Sequence, residues 1–244
     1  MEGFNSMMRI AISNRWIKGF KVSNRAGVDM EVCHLLYADD TVIFCGAIAE
    51  QICYIRMILI VFEAISGLSV NWRKSNLFPI KEVVQMEELA GILGCKVDKL
   101  PTVYLGMPLG NKHKELIIWD RILEKTEKKL ANWKTQYLSL GGRLTLINAV
   151  LDSLPTYVMS LFPIPISVVK KLDRLRRNFL WFGNKEGKGY HLVEWKTAQL
   201  TKEASGLGVR NLKLQNDCLL MKWLWRLNGN VHALWKEVIL NKYG

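Results

Sequence analysis

Cysteine is scarce in this sequence and is not arranged for cross-linking. Cys33, Cys45, Cys53, Cys95 and Cys218 form an odd set with no Cys-x-x-Cys pair. That argues against a disulfide framework or a structural zinc site and fits a reducing compartment. Long apolar runs are missing too. The most apolar stretch, Ile52 to Phe62, contains Arg56 and is too short to span a bilayer, so no membrane partner is expected. The opening Met1-Glu2-Gly3-Phe4 lacks the basic, apolar and cleavage segments of a secretory signal. The expected location is therefore intracellular, in nucleus or cytoplasm. His34, His113, His191 and His232 are scattered, with no His-Glu-x-x-His spacing. Nucleophile-elbow, Walker and dinucleotide glycine patterns are also absent. Cys33 and His34 are neighbours on an expected strand, where alternate side chains face opposite ways, so no dyad is expected there. There is no internal repeat or low-complexity tract.

What is present is an ordinary globular composition, 50% apolar and 23% charged over 244 residues. Such a chain can bury a core without staples. Its charge is unevenly placed. Residues 1–110 hold 11 basic and 11 acidic side chains, whereas residues 111–244 hold 23 and 11, so the whole net charge of +12 lies in the second part. A neutral part joined to a basic part suggests two units, one facing a polyanion. Nucleic acid is the leading partner, because each Lys or Arg placed on a phosphate releases a counterion.

Periodicity predicts a short helix over Glu2–Ser13. A hairpin follows, with arms Gly19–Val22 and Val28–Val32 around an Asn24–Gly27 turn. Cys33–Tyr37 and Thr41–Cys45 flank Ala38-Asp39-Asp40 as a second hairpin. A helix over 47–65 carries Ile48, Ile52, Ile55, Leu59 and Phe62, with Gly67 as its stop. Leu68–Asn71 alternates like a strand, 81–93 reads as a helix closed at Gly94, and Val103–Gly110 reads as a strand bent by glycine. Past residue 110 the pattern is helical. Leu116, Trp119, Leu123, Thr126, Leu130, Trp133 and Tyr137 follow 3-4 spacing up to a break at Gly141-Gly142. Further helices are expected at 143–153, at 168–182 with Ser167 as cap, and at 212–228, with a loop over 183–190. Arg176 is grouped with the basic side chains of the 168–182 helix. Trp223, Trp225 and Trp235 are expected in the core rather than as a base-stacking platform. The fold class is α+β: a small antiparallel sheet with helices, followed by a mostly helical region and a helical tail.

The sharpest chemical feature is Asp39-Asp40 at a hairpin tip. Two carboxylates 4 Å apart repel by ~4 kcal/mol at an effective dielectric of about 20. A divalent cation removes that cost, and Mg²⁺ commonly takes one or two carboxylates plus substrate phosphates. Set between two apolar strands, Tyr37-Ala38-Asp39-Asp40 resembles the metal-binding hairpin of reverse transcriptases. Ser66-Gly67-Leu68-Ser69-Val70-Asn71-Trp72-Arg73-Lys74-Ser75 resembles the next motif of that family. Tyr104-Leu105-Gly106-Met107-Pro108-Leu109-Gly110 resembles its primer-grip hairpin. Trp133-Lys134, Leu138–Arg143, Leu146-Ile147 and Leu154-Pro155-Thr156-Tyr157 resemble the segment after the palm in plant non-LTR, LINE-type retrotransposon proteins.

This resemblance implies a partial polymerase palm over 1–110, a helical thumb-like region over 111–182 and a helical tail over 183–244. It implies RNA-directed DNA polymerisation on an RNA template with a DNA primer. Asp39 and Asp40 would hold Mg²⁺ and Lys74 would stand near the leaving pyrophosphate. Tyr104, Leu105 and Gly106 would hold the primer end. Phosphate contacts would come from Lys125, Lys128, Lys129, Arg143, Lys170, Lys171, Arg174 and Arg177. The family's earlier metal-binding Asp and its template-facing motif have no match here. The chain is therefore expected to be a C-terminal palm and thumb fragment, inactive as a polymerase by itself. The alternatives are a non-catalytic basic nucleic-acid-binding module and a decayed retroelement remnant. A third carboxylate, Asp29 or Glu31, brought beside Asp39 would favour catalysis.

Overall fold

The computed structural model of the chain describes residues 2–23, 29–112, 115–134, 137–183, 190–229 and 232–243. The chain is α+β, with two-stranded sheets among a majority of helices. It divides into two compact units, residues 1–110 with 231–244, and residues 111–230. The expected turn at Asn24–Gly27 and most of the expected 183–190 loop lie outside the described residues.

In the first unit, α1 (Glu2–Ser13) buries Phe4, Met8 and Ala11, an i, i+4, i+7 stripe that sets one helix face inward. The stripe packs with Ile17, Ile55 and Ile58 into one core cluster. Strands β1 (Phe20–Ser23) and β2 (Asp29–Val32) pair antiparallel. So do β3 (His34–Tyr37) and β4 (Asp40–Ile43). Leu36 and Ile43 reach the core cluster and anchor this second hairpin. Buried Gln51 holds the chain leaving it, its Oε1 accepting from Lys18 N at 3.1 Å and Gly46 N at 2.9 Å. Helix α2 (Ala49–Ser66) ends where Gly67, at φ +69°, donates to Glu63 O; left-handed backbone there favours glycine. Helix α2 buries Ile52 and Ile55 as expected, with Gln51 and Ile58, and packs Leu59 and Phe62 on the same cluster; Ile48, expected on that face, is exposed.

The strand expected at 68–71 is absent. The Glu63 carboxylate accepts Val70 N–H, and Asn71 O accepts from Lys74 N and Ser75 N, so these amides serve a turn instead of a ladder. The strand formed is β5 (Asn76–Leu77), parallel to β6 (Lys96–Val97). Between them lies α3 (Met86–Leu93), shorter than expected because its apolar face begins only at Met86; Val84 is fully exposed. Strands β7 (Thr102–Tyr104) and β8 (Met107–Leu109) close a hairpin over Leu105-Gly106. Helix α10 (Leu234–Tyr243) packs on β1 and β2.

In the second unit, α4 (Ile117–Lys134) buries Ile118, Trp119, Ile122, Thr126 and Leu130. Leu116 and Tyr137, expected on that stripe, lie beyond the helix ends and are exposed. Gly141-Gly142 does not break a helix but opens α5 (Leu140–Leu146), where the Ser139 hydroxyl accepts Gly142 N–H at 3.2 Å. An N-cap offsets the cost of glycine in the first turn. A π-turn (Ile147–Leu151) and short α6 (Thr156–Met159) follow. Helix α7 (Ile166–Phe182) starts from Pro165, whose carbonyl takes Val168 N–H and Val169 N–H, so Ser167 is inside the helix rather than its cap. Helices α8 (Trp195–Ala198) and α9 (Leu212–Asn228) complete the unit. Leu130, Ile147, Leu151, Phe179, Leu180, Trp195, Ala198 and Val209 form its apolar core.

Two polar networks sit beside that core. Arg176, 1% exposed, pairs with Asp152, 0% exposed, and with Asp173, donates to Arg210 O at 3.1 Å, and lies over Trp195. Asp152 Oδ2 also accepts from Arg210 N. Arg176 therefore belongs to the interior, not to the basic surface of α7. Buried Asn216 accepts from Ile164 N at 2.9 Å and donates to Met159 O and Phe162 O, fixing α9 to the segment before α7.

Candidate functional site

The acidic pair stands at the tip of the β3–β4 hairpin. Tyr37 pairs with Asp40, leaving Ala38 and Asp39 as a two-residue turn. Ala38 has φ +52°, a left-handed conformation that costs a non-glycine residue of order 1 kcal/mol. Both carboxylates are exposed. The β7–β8 hairpin shows the same device: Leu105 and Gly106 have φ +50° and +75°, as a tight turn with matching twist requires. Tyr104 closes it opposite Met107. Burial first, and the charge of Asp40 second, push the Tyr104 phenol above its ordinary value. Asp40 and Tyr104, 64 residues apart, are thus within electrostatic reach of each other. Lys74 is exposed in the 72–74 turn, its amide bonded to Asn71.

Asp39 and Asp40 are oxygen donors suited to Mg²⁺. Among the described residues no three His, Cys, Asp or Glu side chains cluster to hold a metal, so these donors fit only part of a coordination shell. The Glu31 carboxylate accepts Gly19 N–H. The Asp29 side chain lies outside the described residues.

Cys33 and His34 correct the strand argument. Cys33 Sγ stands 3.2 Å from His34 Nδ1, and His34 Nε2 lies 3.1 Å from Asn5 Oδ1. Cys33 is a break between β2 and β3, so strand alternation does not apply across it. Burial raises the Cys33 thiol, while burial and Arg9 lower the His34 imidazole. Both shifts favour neutral groups, the opposite of an activated thiolate pair.

The basic residues sort into two groups. On α4, Lys125, Lys128 and Lys129 are exposed. At 3.6 residues per turn they share one flank of the buried stripe with Arg121, and Asp120, Glu124 and Glu127 occupy the other. The segregation follows from the sequence spacing once the buried stripe is placed, and the structure places Trp119, Thr126 and Leu130 of the expected stripe inside. On α7, Lys170, Lys171 and Arg174 are exposed, away from buried Val168, Leu172, Arg176 and Phe179. The one acid of α7, Asp173, is engaged by Arg176. Helices α4 and α7 pack on each other. Arg177 is half-buried, and after burial its charge is what lowers the His191 imidazole. Arg143 turns inward: its Nη1 donates to Leu180 O at 2.8 Å and its Nε to Leu138 O at 3.2 Å. It caps the end of α7, where a Cβ on Gly183 would lie 2.9 Å from its guanidinium carbon. Trp225, expected in the core, is 83% exposed.

No family model matches the sequence. Over 137 residues, 56% of this chain, it is 39% identical to a protein of Arabidopsis thaliana named as a candidate ribonuclease H protein, of which the matched stretch is 22%. Over 92 residues, 37% of this chain, it is 30% identical to an uncharacterized mitochondrial protein of Arabidopsis thaliana, covering 60% of it. The chain thus spans less than two thirds of either relative.

Proposed function

We propose that this chain is a nucleic-acid-binding part of a retroelement protein of the reverse-transcriptase type. Its second unit would hold the phosphate backbone of an RNA template paired with a DNA primer. The observation that carries this reading is the charge arrangement on α4 and α7. Exposed cations occupy one flank of α4 and the outer face of α7, and the acids of these helices are on the other flank or tied up inside. A solvated surface with no partner has no need to separate its signs in this way. The ribonuclease name of one relative is in keeping with a nucleic-acid partner.

On this reading the acidic hairpin is the polymerase's metal-binding turn. Asp39 and Asp40 would offer carboxylate oxygens to Mg²⁺, and water or phosphate would supply the others. Lys74 and the Tyr104-Leu105-Gly106 turn would lie toward the leaving group and the primer end. The engagement of Glu31 by Gly19 favours a second reading for the chain by itself, a binding module without catalysis.

The test is filter binding of an RNA–DNA duplex to the full chain. The pair Lys125→Ala with Lys129→Ala, and the pair Lys170→Ala with Arg174→Ala, are each expected to weaken binding by roughly tenfold. Glu124→Ala with Glu127→Ala on the opposite flank should leave binding unchanged or tighten it. Equal affinities in all three would remove the proposed face. The same preparation should show no primer extension on an RNA template. Extension that disappears in an Asp39→Ala, Asp40→Ala variant would overturn the non-catalytic reading.

A further inference from the structure

Helix α9 is apolar on two opposite sides. The inner side is anchored by Asn216 and by Trp223, whose Nε1 donates to Ser160 O at 2.6 Å. On the outer side Leu214, Cys218, Met221 and Trp225 form a straight stripe opposite Asn216. Leu214 is 63% exposed, Met221 64% and Trp225 83%; Cys218 is exposed too, and Leu224 flanks the stripe at 65%. Scattered exposed apolar residues are normal on a protein surface, but an aligned row over three turns marks an interaction site.

The spacing says what fits. Positions 214, 218, 221 and 225 repeat as 4-3-4, the alternation of d and a positions in a heptad, which keeps one seam facing a partner helix. With Cys218 and Trp225 at a, and Leu214 and Met221 at d, Asp217 falls at g and Lys222 at e, five residues further on. In a parallel pair a g residue faces the partner's e residue five positions later. Asp217 then meets Lys222 of the second copy, and the two-fold axis makes the contact twice. An antiparallel pair would set g against g and e against e, which offers Asp217 no cation. Within the chain Asp217 bridges Lys213 at 2.7 Å, both side chains being about half exposed. An exposed i, i+4 pair contributes little and exchanges readily.

We infer that two copies of this chain associate through parallel α9 helices, with the Leu214–Trp225 stripe as the seam and Asp217 with Lys222 setting the orientation. This rests on the outer face of α9 and not on the nucleic-acid reading above.

Sedimentation equilibrium of the full chain without nucleic acid should show a concentration-dependent monomer–dimer equilibrium. Met221→Glu with Trp225→Glu should weaken it by about tenfold or more, which is about 1.4 kcal/mol or more, with an unchanged far-UV spectrum. Asp217→Lys alone should weaken association, and adding Lys222→Asp should restore it. Orientation is read by cross-linking in a Cys53→Ser background. In a parallel pair the Cys218 thiols face each other at matching a positions. An added mild oxidant that takes two electrons, as two protons leave, should join them in a disulfide, giving a dimer lost in Cys218→Ser. A strictly monomeric chain would overturn the proposal, as would dimerisation indifferent to the Met221 and Trp225 changes or a charge swap that fails to rescue. Quenching of Trp225 by a single-stranded oligonucleotide bound to a monomeric chain would also overturn it, assigning the face to base stacking.

Discussion

Replacing Arg176 by methionine is expected to lower the stability of the second unit by about 3–5 kcal/mol, the usual cost of leaving a buried charge without its partner. Asp152 is fully buried, and the guanidinium of Arg176 is its counter-ion. The same guanidinium holds Asp173 and Arg210 O and covers the Trp195 ring. Deleting it removes the charge partner of Asp152 and frees a backbone carbonyl in one step. Asp152→Leu alone should cost less, because Arg176 keeps Asp173 as a counter-ion while losing its buried one and Arg210 N loses its acceptor. The two changes together should cost much less than their sum, because a well-packed apolar pair can replace a buried ion pair. Denaturant unfolding of the single and double variants measures this coupling. Losses below about 1 kcal/mol in both single variants would show that the network contributes no more than a surface contact.

Duplex binding should fall by roughly a hundredfold to two-thousandfold between about 50 and 200 mM salt, given four to six phosphate contacts at a log–log slope near −0.9 each. The exposed cations on the proposed face are Lys125, Lys128, Lys129, Lys170, Lys171 and Arg174. Arg143 is not counted, because its guanidinium is spent on Leu180 O and Leu138 O. The affinity should be nearly independent of duplex sequence, since phosphates carry no base information. Titrations at several salt concentrations give the slope directly. A slope near zero, or a strong preference for one duplex sequence, would be incompatible with backbone capture by these two helices.

Much of the local structure was legible in the residues. The limits of α1 and α9 follow from apolar spacing at three and four, and the ends of α2 and α3 from Gly67 and Gly94, where the backbone turns left-handed. The acidic tip of the β3–β4 hairpin follows from two β-rich runs closing on a short polar turn. Elsewhere the pattern misled. Gly141-Gly142 looked like a stop because glycine weakens a helix interior, yet a serine two residues earlier turned it into a start. Leu68–Asn71 alternates like a strand, but the side chains of Ser66 and Glu63 take the amides of Leu68 and Val70.

Short-range order is set by neighbours within about one helical turn, and the sequence by itself determined that much here: most of the longer helices, the acidic hairpin tip and the excess of positive charge after residue 110, but not α8 or α10. The tertiary structure alone decided which charges face water. Arg174, Arg176 and Arg177 lie within a single turn of α7, yet Arg174 is exposed, Arg177 half-buried and Arg176 wholly buried. Each residue step rotates the side chain by about 100° around the helix, and the inward direction is fixed by Asp152, Trp195 and Arg210, between 19 and 34 residues distant from Arg176. The same holds for Arg143 beneath the end of α7 and for Trp225 facing outward. Burial depends on partners remote in the chain, and no spacing within a single helix encodes where those partners arrive.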